Sequence, residues 1–334
     1  MSALTGSLLR AAARGLDLAG LAAPISVALG YARTAAFPIL SYHRVNRDGD
    51  PFFPALPTDV FERQMAFVAR AYVVLPVEEL ADRMRQGRLP RNALAITFDD
   101  GYRDNLTHAA PILARHGLPA TVFAVTDAIG NGEPLWFDRL ALGFKQSRAT
   151  AWTAPGGEVL PLQSVADRLA ALGRALAHCK RMTSAERRRA VEETLAGLGV
   201  TDERPLKNLM LSWDDVHALM GLGVGIGAHT VSHPILSQLD PQEARAEIEG
   251  SWKAIRSHCG RPPRAFAYPN GRVEDYSDAV IAAVREAGFT CAVTTRFGVN
   301  TTATPLYELR RGGPWEHHLP TFALKLAGYR LTEA

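Results

Sequence analysis

The sequence predicts an α/β fold whose strands form a barrel, and three observations support that prediction. Short apolar runs alternate with longer stretches of helical periodicity along most of the 334-residue chain, which is typical of βα units around a mainly parallel sheet. The run Ala93–Phe98 is apolar almost throughout, as expected for a strand covered on both faces. Polar clusters directly follow several of these runs, and the chemistry of such barrels collects where the strands end.

Six apolar runs are assigned as strands, and about seven strands are expected in all. The six lie at residues 37–42, Ala93–Phe98, 120–125, Val224–Ala228, 264–268 and 289–294. Helical patterns separate most of them, at residues 57–72, 105–116, 183–198, from Ser212 to about 221–223, 241–259 and 275–287. This order indicates an α/β barrel of irregular outline.

Capping residues set the bounds of three helices most clearly. Thr183 and Glu186 have the spacing of a capping box, and Asp240 precedes a proline and a glutamate at the positions that begin a helix. Gly260 then ends that second helix. Ser212 opens a third helix, with Asp215 three residues later.

Two segments interrupt the βα rhythm. Residues 132–210 are expected to be a helical insertion that decorates the domain. Residues 1–36 are expected to be a helical N-terminal extension; their least charged part is about 15 residues long and contains Pro24, which is too short and interrupted for a spanning helix. Peripheral membrane contact by this segment is the alternative. No clear signal peptide is recognised.

Composition excludes some functions and leaves the location open. A formal net charge of +3 over 334 residues gives no argument for binding nucleic acid. Cys179, Cys259 and Cys291 form no CxxC pair, so neither a disulfide framework nor a thiolate zinc site is expected. Sparse cysteines favour a reducing cytoplasm, and a peripheral membrane location stays open.

The candidate chemistry lies in two short motifs. TFDDG at residues 97–101 ends one apolar run with the carboxylates of Asp99 and Asp100, and HTVSHP at residues 229–234 follows another. Two histidines and one aspartate are a sufficient ligand set for a catalytic divalent metal with open positions. The second carboxylate can then act as a general base.

Each motif by itself also fits a plainer interpretation. An Asp-Asp-Gly sequence is common in solvated turns, and its glycine permits a sharp turn. His229 and His233 lie four residues apart, but the residues between them and Pro234 favour a loop or a single turn over a helix. The glutamate of the helical zincin signature is missing. The metal hypothesis depends on the two motifs meeting at neighbouring strand ends.

Together the motifs resemble those of the polysaccharide deacetylase family, also called the NodB-homology domain or carbohydrate esterase family 4. The resemblance covers residues 37 to about 320, and the corresponding domain is placed at 37–325. It implies a distorted (β/α)7 barrel, here with the insertion 132–210 between the first and second motifs. It also implies one divalent metal, usually zinc, and an acetylated glycan as the substrate.

The resemblance implies roles for particular residues. Asp99 corresponds to the general base, and Asp100, His229 and His233 correspond to the metal ligands. The implied reaction removes the N-acetyl group of an amino sugar, and the main-chain N–H of Asn270 would stabilise the oxyanion.

Two family features are altered in this chain. FAYPNG at residues 266–271 aligns with FRPPYG, so Ala267 replaces the arginine that orients the base; Arg310 or Arg311 is the candidate to replace that arginine in space. The late Leu-x-His motif is missing, so the general acid is sought among His43, His317 and His318. Structural roles remain the alternative for all of these side chains.

Several residues near the motifs are expected to contact substrate, namely Tyr102, Tyr268, Pro269 and Arg311, and Trp136 and Trp315 are candidates to stack on sugar rings. The leading hypothesis is a metal-dependent deacetylase of a bacterial glycan. One alternative is a carbohydrate-binding protein that keeps the fold without turnover, which the altered motifs suggest. Another is an esterase for O-acetyl groups, or an amidase for a different amide.

Overall fold

A computed structural model describes residues 36–313 and 316–328. The proposed N-terminal extension, apart from Ala36, lies outside the described residues, as does Trp315. The expectation of membrane contact through that extension therefore stays a prediction. Among the helices that the structure describes, none has both the length and the apolar character required to cross a bilayer.

The strands are short, and most of those in the main sheet are buried. Thirteen are assigned in the described residues: β1 (Ala36–Phe37), β2 (Ile39–Tyr42), β3 (Val45–Asn46), β4 (Leu56–Pro57), β5 (Val73–Val74), β6 (Ala93–Phe98), β7 (Ala120–Ala124), β8 (Ala151–Thr153), β9 (Val159–Pro161), β10 (Val224–Ala228), β11 (Ala265–Ala267), β12 (Cys291–Val293) and β13 (Asn300–Thr301). The six apolar runs assigned from the sequence are all strands.

The main sheet is parallel and curled. Its strand order is β12-β11-β10-β7-β6-β2, and β5 pairs with the first two residues of β6. Leu309 exchanges main-chain hydrogen bonds with the end of β12, and Gly312 does so with β2. The segment from Leu309 to Gly312 therefore joins the two outer strands and closes the barrel. This arrangement agrees with the expected distorted (β/α)7 barrel.

Helices cover the outside of the sheet and also make up most of the segment 132–210. They are α1 (Thr58–Ala71), α2 (Val77–Arg85), α3 (Ala110–Arg115), α4 (Thr126–Asn131), α5 (Trp136–Gln146), α6 (Val165–Cys179), α7 (Ser184–Gly197), α8 (Trp213–Gly221), α9 (Pro241–Cys259), α10 (Asp278–Glu286) and α11 (Leu319–Gly328). A π-helical turn at Asn105–Ala109 precedes α3. The helix expected at 105–116 is thus a π-helical turn followed by a short α-helix.

The capping signals were interpreted correctly. Thr183 and Ser212 each form the reciprocal hydrogen bonds of a capping box at the start of α7 and α8. Asp240 accepts hydrogen bonds from the N–H groups of two residues in the first turn of α9, and Gly260 ends that helix in the left-handed conformation. Local hydrogen bonding therefore fixes these helix ends, as the sequence indicated.

Other elements were missed or displaced. No elements were expected between residues 72 and 93, where β5 and α2 lie. The helix expected at 275–287 begins at Asp278, because Ser277 caps it and Asp275 belongs to a preceding 3-10 turn. Within 132–210 the structure has α5, α6, α7 and the hairpin β8–β9, which surround a hydrophobic cluster that includes Phe144, Trp152 and Leu172.

Strand β10 lies in close contact with its neighbours because it contains glycine. A Cβ atom at Gly227 would lie 2.5 Å from the ring of Phe123 and 2.9 Å from the carbonyl oxygen of Ala265. These atoms belong to β7 and to β11. Only glycine permits this separation in the middle of the barrel, next to the strand end that carries His229.

We expect Gly227→Ala to lower the free energy of unfolding by about 1–3 kcal/mol, because the added methyl group overpacks the sheet. Gly173→Ala is the matched control: its Cβ would meet no atom within 4 Å in α6, so it should be neutral or raise stability by about 0.5–1 kcal/mol. Urea unfolding midpoints compare the two variants. Equal stability of both would contradict this description of the barrel.

Candidate active site

Polar side chains meet at one edge of the curled sheet. His43 follows β2, Asp99 and Asp100 follow β6, His229 follows β10, and Asn270 lies shortly after β11. Because the strands are parallel, their carboxyl ends share an edge, and all five residues line one cavity of about 310 Å³. The convergence of these strand ends, expected from the sequence, is therefore present.

Asp99 is buried in an ion pair with Arg311. The two guanidinium nitrogens Nη1 and Nη2 each donate to a different carboxylate oxygen of Asp99, both at 2.7 Å. Arg311 also donates through Nε to the carbonyl of Thr294, and its side chain is 1% exposed. The closing segment between β12 and β2 thus carries an arginine into the barrel, where it fixes the plane of the Asp99 carboxylate.

Two roles are expected for Arg311, contact with substrate and replacement of the arginine that is missing at Ala267. The guanidinium of Arg311 is buried against Asp99 and Arg311 does not line the cavity, so its expected role as a substrate contact stays a prediction. The second role, replacement of the arginine that is missing at Ala267, agrees with the two hydrogen bonds from Arg311 to Asp99. Arg310 differs, because its main chain bonds to the side chain of Asn300 outside this pair.

The ion pair also determines the charge of Asp99. Burial alone would raise the pKa of Asp99, but the charge and hydrogen bonds of Arg311, with help from His229, hold that pKa well below its ordinary value. Asp99 is therefore a carboxylate at neutral pH.

Asp100 turns away from Asp99 towards the two histidines. Asp100 and Gly101 both have positive φ, 74° and 88°, so the chain bends sharply directly after β6, as the glycine in the motif suggested. Oδ1 of Asp100 lies 3.6 Å from Nε2 of His229 and 3.5 Å from Nε2 of His233. These separations are longer than ordinary hydrogen bonds.

The separations match those between ligands of a tetrahedral zinc ion. With ligand bonds of 2.0–2.2 Å, the edges of such a tetrahedron measure about 3.3–3.6 Å. The ligand atoms of Asp100, His229 and His233 all lie within 4.8 Å of one another, and all three residues are buried. Asp100, His229 and His233 are thus a group that could hold a metal ion, and all three line the cavity.

The loop that carries the histidines is held by hydrogen bonds. Nδ1 of His229 lies 2.8 Å from the carbonyl oxygen of Ala267 and donates to it, which leaves Nε2 as a lone-pair donor. The N–H of His233 donates to Thr230 Oγ1, and the carboxylate of Glu247 accepts from the next two N–H groups after Thr230. The HTVSHP segment is a loop, as expected, and not a helix.

Burial favours the neutral forms of these ligands. It lowers the pKa of His229 to about 4, and together with the nearby charge of His229 it lowers that of His233 well below the ordinary value. Burial and the charge of Asp99 raise the pKa of Asp100 well above its ordinary value. A divalent cation would relieve the repulsion that Asp100 feels when ionised, so the site chemically fits a metal.

His43 lies at the rim of the group. Its Nε2 is 4.0 Å from Oδ2 of Asp99, and desolvation lowers its pKa although the charge of Asp99 opposes this. The other candidates for a general acid lie elsewhere: His318 contacts Thr321 at the start of α11, and neither it nor His317 lines the cavity.

The expected substrate contacts occupy different positions. The hydroxyl of Tyr102 donates to the buried carboxylate of Asp138, and its ring faces an adjoining cavity. Tyr268 lines the main cavity while its hydroxyl donates to the carbonyl of Tyr307. Pro269 is buried and does not line the cavity. None of these positions establishes contact with substrate, so the three roles stay predictions.

Part of the cavity wall was not anticipated. Phe137, Leu176 and Lys180 come from the segment 132–210, and Thr295 follows β12; all four line the cavity together with Trp136. Trp136 was expected as a surface for sugar rings, whereas the others carry no motif. The amphipathic faces of α5 and α6 are the signal that they contact something, but such faces do not indicate what.

Comparisons with known proteins agree with the fold and with the motifs. The model of the family described as polysaccharide deacetylase matches residues 86–292. The chain therefore belongs to the polysaccharide deacetylase family.

A putative polysaccharide deacetylase of Bacillus subtilis, YxkH, is 22% identical over 281 residues, which are 84% of this chain and 71% of that protein. Among solved structures, the Streptococcus pyogenes deacetylase PplD in complex with acetate has a TM-score of 0.60 at 20% identity, with 88% of this chain and 99% of that chain covered. A de-N-acetylase of Aggregatibacter actinomycetemcomitans has a TM-score of 0.52 at 17% identity, with 83% and 94% covered. These structural likenesses establish the barrel fold.

We expect Arg311→Met to lower the free energy of unfolding by about 3–5 kcal/mol, because it leaves the buried Asp99 carboxylate without its cation. The double variant with Asp99→Asn should lose about 1–3 kcal/mol less than the sum of the single variants. Arg103→Met is the control: it removes a partly exposed ion pair with Asp215 and should cost about 0–1 kcal/mol. Urea unfolding in a chelating buffer gives the four values. Additivity of the two buried substitutions would contradict a direct pair.

Proposed function

We propose that the protein is a metal-dependent hydrolase that removes N-acetyl groups from amino sugars of a glycan. The observation that carries the proposal is that two adjacent carboxylates face different partners. Asp100 faces two buried imidazoles at distances suited to one ion, and Asp99 faces a buried arginine.

The proposed ligands are Asp100, His229 and His233, and the proposed metal is zinc, because two neutral imidazoles and one carboxylate with an open position are a common catalytic zinc set. When bound, such an ion lowers the pKa of a water molecule and polarises a carbonyl group. The hydrogen bond from His229 to Ala267 supports the proposal because it orients the imidazole and fixes its tautomer.

Asp99 is the proposed general base. Arg311 keeps it ionised and holds its plane, and each carboxylate oxygen retains lone-pair capacity beyond the hydrogen bond that it accepts. The low pKa makes Asp99 a weak base but ensures that it is deprotonated when substrate arrives. A positioned base of this kind contributes about 10²–10⁴-fold to the rate.

His43 is the proposed general acid and Asn270 the proposed oxyanion residue. His43 lies beside Asp99 on the wall of the same cavity, where it can give a proton to the leaving amine. Asn270 has a φ of 58° and belongs to the turn after β11. Its main-chain N–H would stabilise negative charge on the carbonyl oxygen of the substrate. Tyr102, Tyr268 and Pro269 remain proposed substrate contacts.

Catalysis is favoured over simple glycan binding because the missing arginine has a substitute. Ala267 suggested that the orientation of the base is lost, but the Arg311 contact supplies a guanidinium from the closing segment between Leu309 and Gly312. The proposal of amide cleavage instead of ester cleavage is supported by the relative described as a de-N-acetylase. A separate experiment tests this choice.

The matched variants Asp99→Asn and Asp100→Asn test this assignment. Both should lose acetate release from N-acetylglucosamine oligomers by about 10²–10⁴-fold. Only Asp100→Asn should also lose zinc, by at least about tenfold in affinity, because it alters a ligand. Acetate is measured enzymatically and zinc by calorimetry on the full-length protein.

Asp214→Asn serves as the control, since Asp214 is an exposed residue in the first turn of α8 and the variant should behave as wild type. Full activity of both test variants would refute the proposal. Release of acetate from O-acetyl esters but not from N-acetyl amides would keep the hydrolase and refute the amide specificity.

A further inference from the structure

A second cavity opens beside the candidate metal ligands. It has a volume of about 320 Å³ and shares four lining residues with the main cavity, His43, Asp100, Phe137 and Leu176. The two cavities therefore adjoin each other, as a main and a second compartment that share part of one wall. The insertion helices α5 and α6 and the segment 52–54 form the outer wall of the second compartment.

The walls of this compartment are largely apolar. Its carbon surface comes from Phe52, Phe53, Phe137, Ala141, Leu172 and Leu176. Two of the polar side chains in the wall bond to carboxylates of the protein.

The Tyr102 hydroxyl bonds to Asp138, and Arg44 Nε donates to Asp104 at 2.8 Å. A sugar ring needs partners for its hydroxyl groups. Because most of the lining offers no such partners, the compartment suits a hydrocarbon group better than a sugar.

The position of the second compartment next to Asp100 and His43 indicates which part of a substrate it would hold. Asp100 and His43 line both compartments, so a group in the second one begins within a few bonds of the reacting carbonyl. On the amine side of the amide a polar sugar ring comes first, and hydrocarbon is reached only beyond it. On the acyl side the chain begins at the carbonyl carbon itself.

We propose that the second compartment holds the hydrocarbon chain of the acyl group, and that the protein hydrolyses N-acyl amino sugars with chains longer than acetyl. This inference rests on the proposed function. An apolar cavity of about 150 Å³ accommodates a benzene ring, so this compartment has room for a chain of several carbons. The amide C–N bond breaks, the hydroxyl of water joins the acyl carbon, its hydrogen goes to the amine, and a longer carboxylic acid leaves in place of acetate.

The experiment compares methyl glucosaminides that carry N-acetyl, N-butyryl, N-hexanoyl or N-octanoyl groups, using full-length zinc-loaded protein and a fluorescent assay for the free amine. We expect kcat/KM to rise about fourfold per methylene between acetyl and hexanoyl, as for burial of hydrocarbon. A parallel series has N-acetyl groups and lengthening alkyl chains at the anomeric oxygen. It should show no such rise.

Two variants change the size of the compartment in opposite directions. Ala141→Leu fills it and should bring the ratio of hexanoyl to acetyl turnover close to one, whereas Leu172→Ala should move the preferred chain to octanoyl. Ala170→Leu is the control, because it makes the same exchange at an exposed position of α6 and should leave the preference as in wild type. If Ala141→Leu does not fold, Leu172→Ala still decides the question.

Binding of the same compounds to zinc-loaded Asp99→Asn protein, measured by calorimetry, separates this inference from the proposed function. Tighter binding with longer acyl chains, lost in the Ala141→Leu background, supports the inference. Hydrolysis of N-acetyl substrate without any gain for longer acyl chains overturns it and leaves the proposed function intact. A gain that follows the alkyl glycoside instead overturns the acyl assignment. Chain-dependent binding with no hydrolysis of any amide refutes the proposed function and retains the hydrocarbon site.

Discussion

The candidate site is governed by the need to balance two buried carboxylates on adjacent residues. Asp99 and Asp100 are each 3% exposed at the end of β6, and an unpaired buried charge costs several kcal/mol. The backbone resolves the conflict by bending. Asp100 has left-handed φ, which sends its side chain towards the histidines while Asp99 faces Arg311. Each carboxylate can then have a cation of its own, a guanidinium for one and a metal ion for the other.

The cation for Asp99 depends on how the barrel closes. Leu309 and Gly312 bond to the two outer strands of the curled sheet, and Arg311 lies between them. Ala267, in β11, is the position where the family's pattern led us to expect an arginine. A guanidinium from the closing segment can thus reach Asp99 although β11 carries alanine at the expected position. A motif compared position by position misses such an exchange, whereas the closed sheet accommodates it.

The convergence of Asp100, His229 and His233 could be predicted from the sequence because it follows from simple strand geometry. Asp100 and His229 each follow an apolar run, and parallel strands bring such ends together. The pairing with Arg311 could be proposed only as one of two arginines, since the segment that carries it is bridged by single residue pairs and lacks the apolar pattern of a strand. The apolar compartment was not foreseen, because helix faces such as that of Leu172 and Leu176 indicate burial without indicating the partner. Strand β5 was missed because only two residues form it.

The most direct measurement is anomalous diffraction from crystals grown with one equivalent of zinc, recorded on both sides of the zinc absorption edge. This account predicts a single strong peak about 2.0–2.2 Å from one oxygen of Asp100 and one nitrogen each of His229 and His233, with Asp99 still paired to Arg311. A peak outside this group, or an ion bound by Asp99 after Arg311 has moved away, would contradict it.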